Sequence, residues 1–88
     1  MKKPLNFAIL KYFTTVDEAC ADDVIAALKP EYGKFRMLNQ KAVLEALFTG
    51  QTNGFLTESR YEMVNGELKI YFKAPPEGRD TINKYIPN

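Results

Sequence analysis

The dipeptide Asn65-Gly66 constrains this chain more than any other feature, because it accepts the positive backbone angles of a two-residue type I′ turn more readily than almost any other pair. On either side of it, Phe55 to Val64 and Glu67 to Lys73 alternate branched or aromatic residues with polar ones. A period of two is that of a strand with one face covered, so the two runs are expected to close as a β-hairpin.

Before Gly54 the period is 3.6 instead of two, which makes the chain α+β. Leu5, Ala8, Ile9, Tyr12 and Phe13 share one face of a first helix expected over Leu5 to Thr15, with Pro4 suited to its start and a break near Thr14. Ala21, Val24, Ile25 and Leu28 form the stripe of a second helix, expected from a cap at Asp17 to Lys29 and stopped by Pro30. Glu18, Asp22 and Asp23 load its N-terminal end, where the helix dipole favours anions. Pro30 to Met37 has no clean period and reads as a loop. Asn39 then caps a third helix whose face is Val43, Leu44, Leu47 and Phe48 and whose end is set at Gly50. After Pro75-Pro76, a short terminal helix is expected from near Asp80, with Ile82, Tyr85 and Ile86 on one face. At 88 residues the whole chain, 1–88, is expected to be one domain, with no internal repeat or linker.

Charge and composition narrow the function. The 12 basic and 11 acidic side chains leave a net charge of +1, so any nucleic-acid binding must rest on a local patch. With one cysteine, Cys20, and no histidine, neither an internal disulfide nor the usual zinc spacings can be built, which points to the cytoplasm and to no bound metal or cofactor. Cys20 reads as a small buried hydrophobe. The basic start Met1-Lys2-Lys3-Pro4 is followed by Asn6, Lys11 and Tyr12, which interrupt any apolar run, so neither a signal sequence nor a membrane span is expected. The missing histidine and the lack of a phosphate-cradling glycine loop argue against an enzyme. Asp22-Asp23 reads as a pair of first-turn residues that compensate the helix dipole.

Three helices followed by a hairpin resemble the winged-helix transcription regulators of the helix-turn-helix superfamily. The resemblance is carried by Ala42-Val-Leu-Glu-Ala-Leu-Phe48, by Asn53-Gly-Phe-Leu-Thr-Glu-Ser59 with its Gly54-Phe55-Leu56 step, by Ile70-Tyr71-Phe72-Lys73 and by Glu77-Gly78-Arg79. It implies a three-helix bundle, a two-stranded β-hairpin wing over 55–73, a short C-terminal helix, and a recognition helix at about 38–49. The sequence departs from the pattern at Pro30 to Met37, longer than the roughly three- or four-residue turn of a minimal helix-turn-helix.

If the resemblance implies binding of double-stranded DNA by a transcriptional regulator, the contacting residues are Lys34, Arg36, Asn39, Gln40 and Lys41, a stretch with no acidic residue among them. Lysine and arginine neutralise phosphates, and Asn39 or Gln40 has the paired donor and acceptor that read an adenine edge. The same stretch also reads as a solvated loop and helix cap. Arg60 and Lys69, with Lys73, would bring the wing to the phosphate backbone, but Glu58, Glu62 and Glu67 lie on the same hairpin and favour cross-strand salt pairing. The alternative function is a protein-interaction or dimerisation module without DNA binding. Leu5, Tyr12, Ile82, Tyr85 and Ile86 would then form a two-fold homodimer seam, or else complete the core of the monomer.

Overall fold

The fold comes from a computed structural model that describes residues 3–87; Met1 and Lys2 of the basic start, and Asn88, lie outside the described residues. Helix α1 spans Leu5–Tyr12, α2 Ala21–Tyr32 and α3 Gln40–Thr52; strands β1 (Thr57–Val64) and β2 (Glu67–Lys73) form an antiparallel pair, and α4 (Pro76–Tyr85) closes the chain. This α+β arrangement is compatible with a winged-helix-like layout.

Local hydrogen bonds and long-range packing both move element boundaries. The first helix stops at Tyr12, three residues early, because the Thr14 and Thr15 hydroxyls donate to the carbonyls of Lys11 and Tyr12, both at 2.7 Å. Asp17 does not cap α2. Ala19 exchanges two backbone hydrogen bonds of 2.9 Å with Phe72 of β2, which keeps the chain extended there, so the helix begins after Cys20. Asp23 accepts from the Cys20 N–H at 3.1 Å and so satisfies one of the orphan donors of that helix end. Pro30 does not stop α2 either: the helix runs through it to Tyr32, although proline removes the N–H that would bond the carbonyl four residues back. Tyr32 is buried and its hydroxyl donates to the Lys3 carbonyl at 2.6 Å, a tertiary anchor for that last turn.

Asn39 caps α3 as expected, its Oδ1 accepting from the Ala42 N–H at 2.9 Å. The helix passes the buried Gly50 and ends at Thr52, with Gly54 (φ 84°) beyond it. At the hairpin turn, Asn65 and Gly66 take φ values of 52° and 81°, as a type I′ turn requires. Val64 pairs with Glu67, Met63 with Leu68 and Tyr61 with Ile70, and a bulge at Ser59 shifts the register between Glu58 and Arg60. The terminal helix starts at Pro76, four residues before Asp80, with proline in its first turn, where no N–H is needed.

Every helix and β2 contribute to one core, whose largest wholly buried side chains are Phe13, Val24, Val43, Leu47, Phe72 and Ile82. Phe72 is the pivot: it bridges to Ala19 and meets Phe48 edge-on at 5.4 Å between ring centroids. Phe48, expected in the buried face of α3, is in fact exposed along one side of that contact. Arg79 ties α4 to the body, donating to the carbonyls of Ala74 (2.9 Å), Thr14 (3.2 Å) and Val16 (2.6 Å).

Candidate functional site

The residues expected at a DNA surface separate into two groups. Lys34, Arg36 and Lys41, on the α2–α3 loop and the first turn of α3, are exposed and form no ion pair among the described residues. Asn39 is spent on structure, since its Oδ1 caps α3 and its Nδ2 donates to the Arg36 carbonyl at 2.8 Å. Both halves of its amide are therefore engaged, and reading a base edge would require breaking the cap. Gln40 donates to Asp22 Oδ1 at 3.3 Å, while Lys69 donates to the other oxygen of the same carboxylate. An acidic side chain thus sits between the start of α3 and the hairpin, where a continuous basic face would need none.

The second group is neutralised. Arg60 Nε donates to Glu18 at 2.6 Å and Nη1 to Glu62 at 2.8 Å, with the guanidinium 3.9 Å from the Tyr71 ring centroid. Hydrogen bonds from Ser59 and Arg60 hold the Glu18 carboxyl below the usual carboxylate range. The bond to Asp22 holds Lys69 above the usual ammonium range, against a smaller opposing effect of burial. Cross-strand salt pairing was the expectation for these charges, and the register does set Glu62 opposite Lys69. Arg60 does pair with Glu62, but along its own strand, and the other partners come from beyond the hairpin: Glu18 precedes α2 and Asp22 lies in its first turn, both carried against the strands by the Ala19–Phe72 bridge.

The expected seam residues are also divided. Ile82 and Ile86 lie inside the chain's own core, at 1% and 5% exposure, and Leu5 and Tyr12 pack against that core. Lys11 locks the two helices together, donating to Asn83 Oδ1 at 2.7 Å and to the Ile86 carbonyl at 2.8 Å. Tyr85 alone faces outward, at 70% exposure. The α1–α4 contact is thus made within one chain.

The hairpin also carries an apolar surface that no charged or polar residue marks. On one face of the hairpin, Tyr61 sits opposite Ile70 and Met63 opposite Leu68, continuing outward from the buried Phe72. Tyr61, Met63 and Leu68 are each more than half exposed, and Leu44 of α3 shares a cleft with Leu68 and Ile70. The signal was present in the alternation: a two-residue turn between Val64 and Glu67 fixes which apolar residues are opposed. Whether the body covers that face is a tertiary matter. A second apolar surface flanks α1, where Phe7, Phe35 and Met37 are exposed beside an open groove of about 310 Å³.

Cys20 is buried beside Tyr71 and Asp23. Among the described residues no group of three or more histidine, cysteine, aspartate or glutamate side chains is placed to hold a metal ion. Also among them, no helix is long and apolar enough to cross a membrane. No family model, no curated protein and no solved structure matches this chain.

Proposed function

We propose that this chain is a protein-binding module on a winged-helix frame, working in the cytoplasm without catalysis, and that the apolar face of its hairpin engages the partner. One observation carries the reading: Tyr61, Met63 and Leu68 stand together and more than half exposed on one face of the wing. Exposed apolar side chains scattered singly are ordinary, but a contiguous set rimmed by charge is the usual mark of a binding surface. Arg60 and Lys69, which a phosphate-contacting wing would keep available, are already held by Glu18, Glu62 and Asp22.

DNA binding by a transcriptional regulator is the second reading, favoured by Lys34, Arg36 and Lys41, which are exposed and without an ion pair among the described residues. Three phosphate contacts would give a slope of log affinity against log salt of about −2.7. A photo-reactive residue at Tyr61 tests the first reading. Crosslinks to protein in cells should form at that position and disappear in Met63→Glu/Leu68→Glu, whose melting temperature should match wild type. Binding to random duplex DNA with the expected salt slope, lost in Lys34→Ala/Arg36→Ala/Lys41→Ala, together with no protein crosslink at Tyr61, would reverse the order of the two readings.

A further inference from the structure

We propose that the hairpin binds a second copy of the chain through the edge beside this face, the outer edge of β1 pairing antiparallel with its own counterpart about a two-fold axis at Tyr61, to make a four-stranded sheet. The inference rests on the reading of the hairpin as a protein-binding surface and names the partner.

Three observations converge on it. Among the described residues the sheet has two strands, and its β2 edge meets Ala19, so β1 presents the other edge with Arg60 to Met63 all exposed. An exposed edge presents unpaired N–H and C=O groups and so can template another strand, here over a short stretch. The turn geometry then fixes which groups face outward: Val64 and Glu67 flank a two-residue turn and form a hydrogen-bonded pair, so Met63 and Tyr61 direct their N–H and C=O groups away from β2.

Charge selects the register. Centring the pair on Tyr61 places Arg60 opposite Glu62 of the second copy, twice over by symmetry. Sliding the partner by two residues either way opposes Arg60 with Arg60 or Glu62 with Glu62, and like charges directly opposite are unfavourable. Within one chain Arg60 already holds Glu18 through Nε and Glu62 through Nη1, so the pairing requires Glu62 to be shared across the axis. On the opposite face, the same register sets Tyr61 beside its counterpart and joins the two apolar strips. The bulge at Ser59 ends the regular pairing, so the interface is short and the dimer should be weak and reversible.

Sedimentation velocity of the full chain over roughly 10 µM to 1 mM, the range in which a small interface associates, is the test. Wild type should shift from monomer towards dimer with concentration. Arg60→Glu and Glu62→Arg should each stay monomeric alone, with matched like charges across the axis. Mixed in equal amounts they should dimerise again, because every opposed pair is then complementary. Should Arg60→Glu fail to fold, Met63→Pro removes one outward N–H while sparing the β1–β2 bonds, and it should return the chain to monomer. A wild-type chain that stays at 10.0 kDa throughout, or a mixture no more associated than its components, overturns the self-pairing. A hetero-protein crosslink at Tyr61 in that case leaves the protein-binding reading standing, so the two failures are distinguishable.

Discussion

Asp22 and Glu18 do more to shape this surface than the basic residues they hold. Asp22 bridges Gln40 and Lys69 with its two oxygens, and Glu18 bridges Ser59 and Arg60 in the same way. Each joins the start of α2 to the hairpin. Because the Glu18 carboxyl is held below its ordinary value of 4.5, it contributes stability at higher pH that is lost as pH falls through the depressed value. Wild type should therefore lose stability in thermal melts below pH 4.5, whereas Glu18→Gln starts lower at neutral pH and converges with it in acid. A constant gap between the two curves down to low pH would show that the charge of Glu18 contributes nothing to the fold.

The terminal helix is held by close backbone approach as well as by apolar burial. A Cβ at Gly78 would lie 2.3 Å from the Phe55 carbonyl oxygen, an atom fixed by the turn that joins α3 to β1. Neither backbone can yield without moving α4 away from the body. Gly78→Ala should destabilise the fold by about 1–3 kcal/mol, as overpacking does, read as a lower denaturant midpoint with an unchanged slope. An equal or higher midpoint would mean that α4 rides loosely on Phe55. Asn39 illustrates the same constraint at α3: a residue whose chemistry suits base recognition is used by its own helix as the cap.

The radius of gyration, 12.4 Å, is close to the roughly 12 Å expected for a compact domain of this length. One core serves every helix, and α4 belongs to it through Ile82 and Ile86. Ile82→Ala should cost about 2–5 kcal/mol by loss of buried volume, whereas Tyr85→Ala, at a site 70% exposed, should stay within about 0.5 kcal/mol. Equal effects in chemical denaturation would contradict the orientation of this helix. The α1–α4 seam is thus closed within the chain, while the hairpin and the groove beside α1 stay open.

Much of this architecture is written in short-range pattern. The change of period at Gly54, the Asn65-Gly66 turn and the Asn39 cap all depend on neighbours within a few residues, and each is found where the pattern places it. The start of α2 was not legible, because it is set by a bridge from Ala19 to Phe72, far along the chain. The same distance hid the fate of the charges: Arg60 lies 42 residues from Glu18 and Lys69 47 from Asp22, so residue type alone could not show that they are paired. Alternation, read as strands with one face covered, sets which hairpin residues are opposed, but whether the body covers their apolar face is decided by tertiary packing. Local hydrogen bonding determines which elements form, and the packing of remote segments determines which surfaces stay open to a partner.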